Sequence, residues 1–330
     1  MGVNTSMFCS IRKKTMSKKV LKRIGLATLI LFIIGNFIVY NHVYRFTHFS
    51  DNVKNKTKKP EKLSILEKLN TVFMGIRIPK PKNEAKPIRN YETFTIKSKE
   101  DLEAWHIEIP EDKGIVIMFH GYSSSKSNLL EYSEEFNKKG YSTLLVDFMG
   151  SGGSTGNMTT IGFEESKDVK AAYELIKIKY PNKEIVLFGC SMGAASIMKS
   201  IKDYEINPDK IILECPFGSF EETTKKRFQA MNLPSFPFTD LLMIHGRIQL
   251  GFNPYTHNPI EYAKKIKVPT LLLIGRKDER VSMNSIEKIY QNLNGTKELG
   301  IMENSEHEVY LNDDSEEWHK FVDNFLKNKN

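Results

Sequence analysis

Acidic residues are missing from the first 50 positions of this 330-residue chain, and cysteine and tryptophan are scarce throughout, with three and two copies. Three cysteines (Cys9, Cys190, Cys215) exclude a disulfide framework and a cysteine metal centre, and neither a metal nor a cofactor is expected. Cys190 and Cys215 both fall near the ends of expected strands, which leaves two readings: a bridge between them, or two buried free thiols. The formal net charge of +8 is unevenly spread. Residues 1–60 hold 12 Lys/Arg against Asp51 alone, whereas residues 61–330 hold 36 Lys/Arg against 39 Asp/Glu. The body therefore lacks the basic surface that nucleic-acid binding requires, and no nucleic-acid partner is expected. The basic arm suits a segment close to a membrane.

Charge is absent from Ile24 to Tyr40, a run of 17 residues. At about 1.5 Å per residue it spans roughly 25 Å, near the lower limit for crossing a bilayer. A basic stretch precedes it and no A-x-A cleavage site follows, which reads as an uncleaved signal anchor and a single-pass membrane protein. A cleaved signal peptide and a buried helix are the alternatives, and the second would drag a basic arm into a core. Residues 1–23 hold seven Lys/Arg and residues 41–60 hold five. By the positive-inside rule residues 1–23 are expected to form a cytoplasmic tail, with the body of the chain extracytoplasmic. Residues 41–90 read as a linker and approach segment. Within it, an amphipathic helix around Ser64–Gly75 (Ile65, Leu66, Leu69, Val72, Phe73) lies either on the body, the plainer reading, or on the membrane surface.

From Tyr91 onward strands and helices alternate. Glu92–Lys97 and Ala104–Ile109 have hairpin periodicity, and Ile115–Phe119 is a continuous apolar run suited to a strand covered on both faces. Further strands are expected at Thr143–Asp147, Ile185–Phe188, Lys210–Leu213, Thr270–Ile274 and Glu298–Met302, with helices between them. This pattern predicts an α/β fold with a doubly wound, mostly parallel sheet over residues 91–330. The alternation breaks at about 217–264, where no clear strand is found and Phe, Met, Pro and His are frequent. That stretch is expected to be a partly helical cap. Phe217, Phe220, Phe228, Met231 and Met243 within it either pack the cap or line an acyl pocket.

The chemistry centres on Gly189-Cys-Ser-Met-Gly193. It is a G-x-S-x-G pattern that follows a β-branched apolar strand and opens a helix of small residues, the context in which a serine is held clear of a sheet. A serine hydroxyl needs a base to take its proton, and the base needs a group to orient it. After Ser191, Asp278 follows the strand Thr270–Ile274 through Gly275-Arg-Lys, with Glu279 as the adjacent fallback. His307 follows the strand Glu298–Met302. His245 and His257 precede Asp278, and His319 sits on the last helix beside Trp318, so only His307 completes the order Ser, acid, His. Flanking Glu306 and Glu308 favour its protonated form. For the oxyanion, the backbone N–H groups of Met192 and Tyr122 are the expected donors, with Gly121 allowing the turn and His120 in a structural role.

His120-Gly121, Gly189-Cys-Ser-Met-Gly193, Gly275-Arg-Lys-Asp278 and His307, spread over about residues 92–327, closely resemble the α/β-hydrolase family. Within that family the chain looks most like membrane-anchored bacterial hydrolases of the serine aminopeptidase and Bem46-like kind. Asp147-Phe-Met-Gly-Ser-Gly-Gly-Ser154 is similar to a stretch of that group, but Met149 stands where Arg is usual, so a salt bridge made by that Arg is missing. The resemblance implies a metal-independent hydrolase working through an acyl-enzyme. It leaves the substrate open. Carboxylic esters of short to medium acyl chains, taken as a small acyl substrate, are expected. A peptidase or thioesterase of the same fold, or a non-catalytic binding protein on a hydrolase scaffold, are the alternatives.

Overall fold

Uninterrupted apolar runs become the central strands of one eight-stranded sheet. The computed structural model describes residues 17–52, 57, 63–307 and 310–328. Most of the basic tail, Cys9, nearly all of the Lys-rich stretch 53–62 and Glu308 lie outside them. The sheet has the order β1-β2-β4-β3-β5-β6-β7-β8. Its strands are β1 (Glu92–Lys97), β2 (Asp101–Ile107), β3 (Gly114–Phe119), β4 (Ser142–Val146), β5 (Glu184–Cys190), β6 (Lys210–Glu214), β7 (Thr270–Gly275) and β8 (Lys297–Met302). β1 and β2 form the antiparallel edge and β2 also runs antiparallel to β4. Every pairing from β4 onward is parallel. Every residue of β3, β4, β6 and β7 is buried, as strands covered by helices on both faces require.

The helices of the sheet domain are α3 (Leu130–Lys138), α4 (Glu165–Lys179), α5 (Met192–Tyr204), α8 (Pro259–Ala263), α9 (Met283–Asn292), α10 (Tyr310–Asp313) and α11 (Ser315–Lys327). Right-handed crossovers put α3 on one face, because β4 lies to one side of β3, and α4 and α5 on the other, because β5 and β6 lie to the opposite side. α11 joins α3: the Trp318 ring lies edge-on to Tyr132 and Phe136, with centroids 5.6 and 5.8 Å away. Strand order therefore reverses around β3. Open α/β sheets bind ligands at the carboxyl ends of the strands at such a point.

Four helices lie outside this layer. α1 (Lys18–Thr47) is 30 residues long and holds the one stretch among the described residues that is long and apolar enough to cross a membrane. Nearly all of its uncharged run faces outward, and packing begins only near its end, with Val39, Val43 and Thr47 buried. α2 (Ile65–Met74) starts at a capping box in which Ser64 and Glu67 satisfy each other's backbone N–H, which fixes its N-terminus. In the stretch expected as a linker, Ser50 bridges Pro79 and His48 bridges Met158. The approach segment is also held to the body where the Lys80 ammonium donates to the Ser154 and Gly156 carbonyls. Between β6 and β7 stand α6 (Phe220–Ala230) and α7 (Phe238–Leu250) with no strand.

Candidate active site

Ser191 holds φ 50° and ψ −105°, a left-handed backbone that costs a non-glycine residue of order 1–3 kcal/mol. The chain keeps that conformation because β5 and α5 close tightly around it. A Cβ at Gly189 would stand 2.6 Å from the carbonyl carbon of Gly193, and one at Gly193 would stand 2.3 Å from the Phe119 carbonyl oxygen. Both positions therefore require glycine. The second contact also brings the start of α5 against the loop after β3. Gly193, the residue after Met192, thus lies beside the start of His120-Gly121-Tyr122, the loop expected to supply the other oxyanion donor. The Ser191 N–H donates to the Glu214 carbonyl, 2.8 Å away, which pins the turn to β6.

The three residues expected to act together are brought together. Ser191 Oγ and His307 Nε2 are 3.0 Å apart, and His307 Nδ1 and Asp278 Oδ2 are 2.7 Å apart. Asp278 Oδ1 accepts from the backbone N–H groups of Arg280 and Val281 at 2.7 and 2.9 Å. Burial alone would raise the Asp278 pKa, but the hydrogen bonds from His307 and from those two N–H groups hold it below the ordinary carboxylate value. For His307, burial disfavours the charged ring, but Cys215 and the Asp278 carboxylate outweigh it and raise the imidazole pKa to about 10. Glu279, the fallback acid, makes none of these contacts. Asp314 carries the loop that presents His307, accepting from the Asn304 N–H at 2.9 Å and the Ser305 hydroxyl at 2.6 Å. At Gly275, a Cβ would meet the Ser305 and Glu306 carbonyl oxygens at 2.4 Å. The acid and base loops touch there, which is why His307 and Asp278 meet.

His120 is fully buried and structural, as expected. Phe148 N–H donates to its Nε2 at 3.1 Å, which leaves Nδ1 to donate to the Gly121 carbonyl at 2.8 Å. Its ring thereby shapes the loop that carries the Tyr122 N–H. Cys190 and Cys215 are both buried thiols, so the bridge between them does not form. Cys215, Asp278 and His307 offer donor atoms within 4.8 Å of one another. His307 already directs one nitrogen to Ser191 and the other to Asp278, which is the geometry of a proton relay and not of a ligand set. Met149, in place of the usual Arg, is buried and gives its backbone N–H to Asp168 at 3.1 Å. Burial pushes the Asp168 carboxyl up to about 7.

The five apolar cap residues have varied positions. Phe217 is buried and edge-on to His257, 5.1 Å between centroids, and Phe220 lies on the same ring. Phe228 packs on Phe238 across α6 and α7, Met243 is buried on α7, and Met231 is half-buried at the end of α6. Two site residues were missed from the sequence. Cys215 stands at the His307–Asp278 pair, and only its place directly after β6 hinted at that. Arg227, on α6, lies over the rings of Phe46 (4.4 Å) and Tyr122 (5.9 Å). Its side chain is exposed. Among the described residues it has no carboxylate partner.

Residues 110–249 match the family model described as serine aminopeptidase, S33, and residues 255–330 match that of PhoPQ-activated pathogenicity-related protein. The uncharacterised protein YqkD of Bacillus subtilis is 28% identical over 233 residues, 70% of this chain and 76% of that one. Lysophosphatidylserine lipase ABHD12 of Xenopus tropicalis is 24% identical over 201 residues, 58% of this chain, and the match spans about half (49%) of that relative. Among solved structures, an esterase of Pyrococcus furiosus superimposes with a TM-score of 0.64 at 27% identity, covering 76% of this chain and 96% of its own.

Proposed function

We propose that this chain, a member of the α/β-hydrolase family, is a membrane-tethered serine esterase that cleaves carboxylic esters of short to medium acyl chains through an acyl-enzyme. The observation that carries the reading is the continuous relay from Ser191 Oγ through His307 to Asp278, at 3.0 and 2.7 Å. Ser191 attacks the ester carbonyl while His307 Nε2 takes its proton. The N–H groups of Met192 and Tyr122 receive the oxyanion. His307 then returns the proton to the leaving alcohol as the C–O bond breaks. Water, deprotonated by the same nitrogen, attacks the acyl-enzyme and restores Ser191. Asp278 holds the Nδ1–H tautomer and stabilises the imidazolium. α1 keeps the enzyme at a bilayer, with the catalytic domain on the extracytoplasmic side.

A peptidase that trims free N-termini is less well supported. It would need an unpaired acid near the site, and the cap acids are occupied. Glu221 pairs with Lys225 and Glu261 with Lys264, Glu222 accepts from Ser282 and Ser285, and Asp240 accepts from Tyr255. A second reading, an esterase for anionic lipids such as lysophospholipids, is favoured by Arg227. Its guanidinium carries a permanent charge over the Tyr122 ring without a carboxylate on it, so an anionic head group would find a cation there. The name of the ABHD12 relative points the same way.

The test is hydrolysis of p-nitrophenyl esters from acetate to palmitate by the full chain in detergent. Ser191→Ala is expected to lose at least about a thousandfold in kcat, and fluorophosphonate labelling is expected to disappear. Turnover that survives the substitution would overturn the nucleophile. Arg227→Gln is expected to raise KM for lysophosphatidylserine about tenfold and leave the neutral esters unchanged, because one charge-assisted hydrogen bond to the head group is lost. An equal effect on both substrates would overturn the head-group reading.

A further inference from the structure

We propose that the turn between α6 and α7 and the exposed face of α7 are immersed in the lipid leaflet beside α1, and that lipid esters reach the active site from the membrane rather than from water. The inference rests on reading α1 as the bilayer anchor, and goes beyond it by assigning a second, independent membrane contact to the cap.

The first observation is how the cap is docked. His245 Nε2 and Asn36 Oδ1 are 3.0 Å apart, and Gln249 Nε2 donates to the Tyr40 carbonyl at 2.9 Å. Both pairings step by four residues in the same sense, so α7 runs alongside α1 in the same direction. Asn36 lies four residues before Tyr40, the last residue of the uncharged run, so His245 is already roughly 6 Å inside the end of that run. Going back from His245 to Phe238 moves seven residues further, or up to roughly 10 Å, toward the half of α1 that a bilayer would cover.

The second observation is what stands at that end. From Phe228 to Thr239 the chain carries no charge. Phe236 is 77% exposed and Phe238 is exposed beside it. Ile244 and Ile248, one helical turn apart on α7, are 53% and 69% exposed. Asp240, the next residue after this stretch, accepts from the Tyr255 hydroxyl at 2.7 Å, and Arg247 is long enough to carry its charge out to the head groups. In water these apolar side chains would be an unexplained patch. Beside α1 they continue its lipid-facing surface.

α2 fits the same plane. Asn41 donates to the Met74 carbonyl at 3.2 Å and His42 Nε2 lies 2.6 Å from the Val72 carbonyl oxygen, so α2 sits just past the end of the uncharged run. Ile65, Leu66, Leu69 and Phe73 are all exposed on it. An amphipathic helix at that level, with its apolar side open, suits the head-group boundary. α6 leads from the immersed tip back to Arg227 over the Tyr122 ring, which gives a lipid a short path from leaflet to site.

The experiment uses the full chain in phosphatidylcholine nanodiscs, with an environment-sensitive fluorophore on single cysteines in a Cys9→Ser background, Cys190 and Cys215 being buried. Labels replace Phe32 on α1, Phe236, Ile248, Leu66 and, as a soluble control, exposed Lys288 on α9. Doxyl lipids are expected to quench the labels at Phe32, Phe236, Ile248 and Leu66 and to spare Lys288. Quenching at Phe32 alone would overturn the inference and leave the anchor standing, with another copy or a protein partner to cover the patch. No quenching at Phe32 would overturn the anchor itself. In parallel, the double variant Phe236→Asp, Ile248→Asp is expected to hydrolyse a vesicle-borne lipid ester about tenfold more slowly while keeping its rate on soluble p-nitrophenyl butyrate. Equal rates to the parent on both substrates, or equal losses on both, would overturn delivery from the membrane.

Discussion

At the scale of single residues, the strain at Ser191 and the charge balance at His307 underlie the proposed chemistry. The order Ser191, Asp278, His307 was legible because each follows an apolar run that could only be a strand. Cys215 was not legible, because nothing in a lone cysteine after a strand reveals which loop of a distant element will fold onto it. Its position has a consequence for pH. Only neutral His307 can act as the base. Cys215 and Asp278 raise its pKa above the ordinary 6.5 against the effect of burial, so the acid limb of kcat/KM is expected above that value, with activity rising into the alkaline range. Cys215→Ala removes one of the raising influences, and the limb is expected to move to lower pH. A pH–rate profile on p-nitrophenyl butyrate checks both, and a limb unmoved by the substitution would mean that Asp278 alone sets the imidazole.

At the scale of elements, the strands were read well and the cap was read coarsely. Continuous β-branched and aliphatic runs left β3, β5, β6 and β7 no alternative to burial on both faces. The bounds of helices α6 and α7 were hidden because neither has a clean period and the turn between them holds Pro234 and Pro237, and because α7 packs against α1 and α6. The elbow is an element that requires glycine. In Gly193→Ala the new Cβ would have to lie 2.3 Å from the Phe119 carbonyl oxygen, a backbone atom that cannot rotate away. That change is expected to cost about 2 kcal/mol or more of stability and to lower kcat by disturbing the Met192 N–H. Thermal denaturation with burst-phase acylation would separate the two effects, and a variant equal to the parent in both would contradict the close approach of α5 to the end of β3.

At the scale of the whole molecule, α1 and the sheet domain are joined by more than a tether. Tyr122, whose N–H is assigned to the oxyanion, also donates its hydroxyl to the Phe46 carbonyl at 2.5 Å, and the two rings stack at 4.9 Å. Val39, Val43 and Thr47 are buried on the body. A chain beginning at Gly35 is therefore expected to keep these contacts and the parent's melting temperature. A chain beginning at His48 is expected to melt several degrees lower and to turn over soluble esters more slowly. Equal melting temperatures for the two truncations would show that the end of α1 adds nothing to the domain.

The sequence by itself determined the parallel sheet, the strand–turn–helix around Ser191, the order of the three proposed catalytic side chains and the presence of one apolar run near the N-terminus. These are local patterns: hydrophobic period, small residues at a tight turn, and polar side chains at strand ends. Tertiary structure alone decided that Cys190 and Cys215 remain thiols, that Cys215 stands beside His307, that Arg227 reaches over Tyr122, and that α7 lies along α1. Each of those depends on contacts between segments tens to hundreds of residues apart, whose relative placement follows from the crossovers of the sheet and not from the pattern of any one stretch.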